Sequence, residues 1–539
     1  MVLHPLRPAV STFGLEGLRQ GQDRDPHWIF SPRTQRVLLA LAIVAIVAQP
    51  LVFFGTFAGD AQLHLVFAEN AARGRFYEFN PGERVSGETS PGYMLLGAAL
   101  FRLISPFAVP LALKLIDLAV WYTFCLLVYQ VAKRALVAAS APEDRFWAVV
   151  AALTAALIPG SVYNANVGME NGLFAALIWL WLDLVGRWNW LEPARLSGDT
   201  TPRLGREIVL SALLGISCWF RPEGFVVLLL GYAFRWWVHP PKRTWILGLT
   251  IAAIVGLASV AFQIAYTGDL IATSILSRHV LTMRRSLPLG PLALDPAFAE
   301  RLVFYLPLTA CFILGLRAWR DSRPRIERFL LVLLGLFFLI YTCLTGSAQL
   351  ARYVIFLMPI LAIGAARGAR ALLERRQTYV RWLLAIATIV FFITDVGESW
   401  YRRRQFSQHL LLSAMTAPEQ RRWRTDALLH DLGDPTKRPV ILALEAVQMR
   451  YELDERVTIR SLDGRVDREL LEFVRDGSVD HIGYIKSRGV DYLFKPPPYN
   501  RNPREWSLAK LGNLKHGERL THDGLGFRRL PSDVFVVER

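Results

Sequence analysis

Residues 242–269 read KRTWILGLTIAAIVGLASVAFQIAYTGD, with no charged side chain between Arg243 and Asp269. An apolar run of about 20 residues crosses a hydrocarbon core of ~30 Å as a helix, and only a helix satisfies its own backbone there. The same pattern recurs: Val37–Phe57, Leu111–Val131 and Phe329–Leu344 are comparable blocks, and 53% of the 539 residues are hydrophobic. By this length rule the chain has about eleven spans. The expected fold class is an all-α polytopic membrane protein.

The net charge of +16 raises nucleic acid as a partner, and its distribution removes it. Basic residues cluster after every second block: Lys133/Arg134, Arg187 to Arg206, Arg235 to Arg243, Arg317 to Arg328 and Arg367 to Arg381. The intervening connections hold few cations, as the positive-inside rule requires of outer loops. Four cysteines, Cys125, Cys218, Cys311 and Cys343, sit inside apolar blocks without metal-ligand spacing, as small buried hydrophobes do. Residues 1–35 carry Arg7, Arg19, Arg24 and Arg33 and are expected to be a cytoplasmic tail ahead of an uncleaved first span.

From that start, residues 36–398 form the membrane domain. Span one (36–57) delivers an outer loop, 58–91. Within it Leu63, Val66, Phe67 and Ala71 recur at helical spacing opposite Gln62, Glu69 and Arg73, which predicts an amphipathic interfacial helix over Ala61–Arg73. Pro91 opens a second short helix, 92–105, also placed in the interface. Spans follow at 110–132, 146–159, 170–186, 207–220, 223–238, 245–265, 302–316, 329–345, 353–366 and 382–397. The chain shows no internal repeat. Residues 399–539 change character and predict an extracytoplasmic α/β domain, with strands at Val440–Leu444, Val457–Ile459, Tyr492–Phe494 and Val534–Val537 and a helix near Glu469–Val474.

Topology set by charge alone puts the unusual polar motifs on the outer side. They are Asp60, Gly168-Met169-Glu170, Arg221-Pro222-Glu223-Gly224, Gly268-Asp269, Arg278/His279 and Arg352-Tyr353. Ionisable groups at span ends are functional candidates, although any outer loop contains polar residues.

The order of these motifs resembles a known family. Gly59-Asp60-Ala61 through Ala68-Glu69-Asn70, then Phe79-Asn80-Pro81-Gly82-Glu83-Arg84-Val85 and Thr89-Ser90-Pro91, look like the first outer loop of bacterial GT-C-type glycosyltransferases that use polyprenyl-phosphate sugars. The nearest subset includes the mycobacterial terminal arabinofuranosyltransferases. Gly168-Met169-Glu170, Arg221-Pro222-Glu223-Gly224 and Tyr266-Thr267-Gly268-Asp269-Leu270 resemble later motifs in the same order, and Asp480–Phe494 is similar to the family's outer C-terminal domain. The chain departs where relatives carry two adjacent acids, since Gly59 precedes Asp60, and around 271–278, where it reads Ala272-Thr273-Ser274 and Arg278.

The resemblance implies transfer of a sugar from a polyprenyl-phosphate donor to a hydroxyl of a cell-envelope glycan or glycolipid, with inversion, at the plasma (inner) membrane. Such chemistry needs a carboxylate to take the acceptor proton and cations to meet the leaving phosphate. Asp60 is the expected base, against a plain role as helix N-cap. Glu170 orients sugar or a metal, or favours a helix N-terminus. Arg221 and Glu223 bind substrate or pair with each other. Arg278, His279, Arg352 and Tyr353 are donor-phosphate candidates, against snorkelling to headgroups. Asp269 joins them or is a turn residue, and His64 is expected to be an interfacial surface residue. No cofactor motif is present, and a divalent metal is compatible with the outer acids but unsupported. A transporter or flippase, and a non-catalytic binder of lipid-linked sugar, are the rival readings.

Overall fold

The computed structural model describes residues 32–57, 59–136, 142–158, 161–191, 204–238, 243–278, 308–316, 325–340, 355–374, 411–432, 438–443, 446–462, 466–475, 478–494, 517–522, 524–530 and 534–538. Helix α1 (Pro32–Val52) leads into α2 (Gly59–Ala72), a two-strand ribbon β1 (Glu78–Asn80) and β2 (Glu83–Arg84), and α3 (Pro91–Leu103). Then come α4 (Val109–Leu136), α5 (Pro142–Leu157), the single turn α6 (Ser161–Ala165) and α7 (Asn171–Arg187). The bundle continues with α8 (Leu204–Phe220), α9 (Glu223–Val238), α10 (Arg243–Thr267), α11 (Thr273–Arg278), α12 (308–316), α13 (Arg325–Ile340) and α14 (Met358–Glu374).

Among the described residues, α4 and α10 are long and apolar enough to cross a membrane by themselves. The exposed face of α10 carries Ile246, Ile254 and Leu257, each more than half accessible. Such a face is stable against lipid tails rather than water. Helix α3, at 13 residues, is about 20 Å long and falls short of the hydrocarbon core. The expected eleventh span, 382–397, lies outside the described residues.

The tail begins with α15 (Leu411–Asp431) and builds a mixed six-strand sheet. Strands β3 (Val440–Ala443), β4 (Thr458–Ser461) and β7 (Tyr492–Phe494) are parallel in the order β4-β3-β7. The antiparallel strands β10 (Val534–Glu538), β9 (Leu525–Arg529) and β8 (Arg519–His522) extend it. A small ribbon, β5 (Val474–Arg475) with β6 (Ser478–Val479), lies apart from it. Helix α16 (Ala446–Glu452) connects β3 to β4, and α17 (His481–Arg488) precedes β7. The helix expected near 469–474 is a 3-10 turn, Arg468–Phe473. The α-helix is α17, started by the Asp480 carboxylate accepting from Gly483 N at 2.8 Å and stopped by Gly489 in the left-handed region.

The tail packs on the outer loop. Asn80 behaves as an extra strand residue at the edge of β4: its Nδ2 donates to Ile459 O at 2.8 Å and its Oδ1 accepts from Ile459 N at 3.0 Å. Arg460 adds an ion pair to Glu83 at 2.7 Å. This docking corrects one expectation. Helix α2 is not amphipathic at a membrane surface, because residues 61–69 are all buried. Helix α3 covers one side of α2, and α16 of the tail covers another. The polar face is satisfied by protein, with Glu69 held by Arg421 of α15 at 2.7 Å.

Candidate functional site

The site grows from the face of α2 that carries Asp60 and, one turn on, His64. Residues four apart on a helix share a face, with Cβ atoms about 6 Å apart. Asp60 lies in the first turn of α2 and is half-buried. His64 is buried, which corrects its expected place on an interfacial surface. Its Nδ1 lies 2.6 Å from Glu88 Oε2 and its Nε2 lies 2.9 Å from Glu170 Oε2. Burial alone opposes the imidazolium, but the two carboxylates outweigh it and raise His64 to about 10. His64 therefore stands as a cation between two acids, in a T-shaped contact with the Tyr93 ring, their centroids 5.0 Å apart.

Each partner is positioned by a separate element. Glu88 is fully buried in the strap before α3, and its other oxygen accepts from Ser90 N at 2.7 Å. Glu170 stands at the N-cap position of α7, where its side chain makes no capping bond. It turns instead to His64 and to Arg221 Nη1, 2.9 Å away. Arg221, at the break between α8 and α9, also donates to Asn171 and reaches Glu223 through Nη2 at 2.8 Å and Nε at 3.2 Å. The break is tight: a Cβ on Gly224 would come 2.7 Å from Cys218 N, so glycine alone lets α9 start there. Ser90 Oγ donates to Phe220 O and ties α3 to the same break.

Two charges inside α4 fix the loop that presents Glu170. Lys114 donates to Phe53 O at 3.1 Å and to Asn166 O. Asp117 accepts from Gly168 N at 2.8 Å. Gly168 has φ of 83°, and a Cβ there would fall 2.5 Å from the Phe57 ring. Both charged residues were legible in the sequence as Lys114-Leu115-Ile116-Asp117 within an otherwise apolar block. An ionisable pair inside a span marks a site by default.

Asp269 is placed a little apart. It accepts from Ser86 Oγ at 2.6 Å and pairs with Arg468 of the tail, so it joins the outer loop to the C-terminal domain. The structure thus brings His64, Glu88, Glu170, Arg221 and Glu223 into one network beside Asp60, and leaves Asp269 at a neighbouring junction two residues from Glu88. His279, Arg352 and Tyr353 lie outside the described residues, as does the side chain of Arg278. Among the described residues no group of three or more His, Cys, Asp or Glu is arranged to hold a metal ion.

Solved structures match this helical bundle with its small mixed sheet as a fold. ArnT from Cupriavidus metallidurans bound to undecaprenyl phosphate superposes with a TM-score of 0.52 at 13% identity, covering 94% of this chain and 98% of that one. AglB, the oligosaccharyltransferase of Archaeoglobus fulgidus in complex with an inhibitory peptide and a dolichol-phosphate, gives 0.53 at 12% identity, covering 87% of this chain and 70% of that one. Against the same organism's oligosaccharyltransferase with Zn and sulfate, the chain spans 62% of that chain's length. No family model matches the sequence, and no curated protein matches it at a significant level.

Proposed function

We propose that the chain is an integral membrane glycosyltransferase that moves a sugar from a polyprenyl-phosphate donor to an acceptor hydroxyl at the outer membrane boundary. The observation that carries this reading is the buried network of His64, Glu88, Glu170, Arg221 and Glu223 one helical turn from Asp60, in a fold shared with a protein that binds undecaprenyl phosphate. A buried charge cluster assembled from four separate chain segments is costly to maintain for stability alone.

In the proposed step, Asp60 takes the acceptor hydroxyl proton while that oxygen bonds to the sugar's anomeric carbon. The carbon–oxygen bond to phosphate breaks, and polyprenyl phosphate leaves with the electron pair. The network holds three carboxylates against two cations. That balance suits the positive charge that develops on the sugar ring better than it suits a phosphate. Arg221 then works through the carboxylates it holds, and Arg278, His279, Arg352 and Tyr353 are the residues we propose for the departing phosphate. Inversion follows from attack opposite the leaving group. A cell-envelope glycan or glycolipid is the proposed acceptor, and with the expected count of about eleven spans the site and the C-terminal domain are proposed to lie outside the plasma membrane. A pentose such as arabinofuranose or a hexose is the transferred sugar.

The test is donor turnover. Purified protein in nanodiscs is given polyprenyl-phosphate sugars one at a time with envelope glycan extracts, and released polyprenyl phosphate is measured. Release with at least one donor, dependent on the extract, is expected. A lipid-linked sugar that merely changes leaflet without bond cleavage would favour the flippase reading instead.

A further inference from the structure

Helix α2 has a second functional face. Opposite Asp60, on the side of Val66, Glu69 and Arg73, the outer loop and the tail enclose a cleft of about 850 Å³. This is within the size range of a small-molecule or glycan site. Six arginines line it: Arg73, Arg421, Arg422, Arg438, Arg450 and Arg456.

Three of them are matched by acids. Arg73 and Arg421 share Glu69 at 2.6 and 2.7 Å, and Arg456 pairs with Asp454 and Asp426, each at 2.7 Å. The other three are not. Arg422 and Arg438 are exposed and form no ion pair among the described residues. Arg450 is buried, and among the described residues its guanidinium donates to backbone carbonyls alone, Leu453 O at 2.8 Å and Val457 O at 2.7 Å. Burial, and then the neighbouring Arg421 charge, bring Arg450 down to about 10, so the cleft wall is electropositive even at its base. Three guanidinium groups without carboxylates, facing one concavity, are a receptor for an anion with several oxygens, because the planar fork pairs with phosphate or carboxylate through two hydrogen bonds.

Pro106 also lines the cleft, three residues before α4 enters its span. The opposite face of α2 carries the proposed base.

We propose that this cleft binds a phosphate- or carboxylate-bearing saccharide and that its occupant is the acidic part of the acceptor. Only the word acceptor rests on the transferase reading; the binding does not.

Binding is measured by titration calorimetry on the full chain in phosphatidylcholine nanodiscs, with trigalacturonate and neutral maltotriose as probes. The charged trisaccharide is expected to bind, with affinity falling as salt is raised, and maltotriose is expected not to. The exposed pair Arg422→Glu/Arg438→Glu should weaken trigalacturonate binding by about tenfold or more, and Asp60→Asn should leave it unchanged. Equal binding of the neutral sugar, or no effect of the double reversal, overturns the proposal. A third arm separates the sources of anion. If phosphatidylglycerol in the nanodisc abolishes trigalacturonate binding, and the double reversal removes that competition, the cleft is a lipid-headgroup site and the saccharide assignment falls. Loss of binding with donor turnover intact sinks the cleft alone, and turnover lost with binding intact sinks the transferase reading alone.

Discussion

Asp60→Asn is expected to lower the transfer rate by about 10²–10⁴-fold, the usual contribution of a positioned general base. The substitution keeps the shape of the side chain, and at a first-turn position the lost charge costs α2 about 1 kcal/mol or less. Helix α2 is also held along its length by α3 and the tail. Folding and donor retention should therefore survive, and the loss should fall on kcat rather than KM. Single-turnover transfer by the purified variant, beside its thermal unfolding curve, checks this. A variant with normal turnover removes Asp60 from the chemistry and leaves it as an acid in the first turn of α2.

His64→Gln carries the largest expected effect on stability. The imidazolium separates Glu88 and Glu170, both buried, at 2.6 and 2.9 Å. Among the described residues His64 is the cation that touches both; removing it leaves two carboxylates facing each other, and breaking such a buried arrangement costs about 3–5 kcal/mol. That is a large part of a typical total stability of about 5–15 kcal/mol. The double variant His64→Gln/Glu88→Gln should be less destabilised than the single one, which a purely steric role for His64 would not produce. The pH dependence has a definite sign. Folding raises His64 from 6.5 to about 10, so the stabilisation is complete below about 6.5 and is lost as pH rises toward and through 10. The stability gap between wild type and His64→Gln should therefore narrow from pH 6 to pH 10. A constant gap would show that the imidazole acts by packing.

The sequence showed the site more fully than the local structure around it. Asp60, Glu170 and the Arg221-Pro222-Glu223-Gly224 break were singled out by charge at span ends; Glu170, Arg221 and Glu223 are linked by ion pairs, and Asp60 lies one turn before His64 on α2. His64 was misplaced because a single histidine among apolar neighbours resembles an interfacial residue, and its partners lie far along the chain, at 88 and 170. Glu88 had a local signal, standing just before Thr89-Ser90-Pro91. Lys114 and Asp117 had a stronger one. The surface reading of α2 failed for a tertiary reason: Glu69 is buried and paired with Arg421, and Arg73, at the exposed end of the helix, pairs with Glu69 and with Glu455 of the tail. In the tail, apolar runs marked β3, β4, β7 and β10, whereas β8 and β9, reading RLTH and LGFRR, carry too many cations to announce themselves. Helix α17 was passed over although Asp480 and Gly489 mark both its ends.

The measurement that bears most directly on the central claim is lipid mass spectrometry of purified Asp60→Asn protein, a variant that should bind donor without consuming it. The account predicts a co-purifying polyprenyl-phosphate sugar, whose mass identifies the sugar class and the lipid length. Folded variant that carries only ordinary phospholipid, while the same preparation of wild type shows no donor turnover, would contradict it.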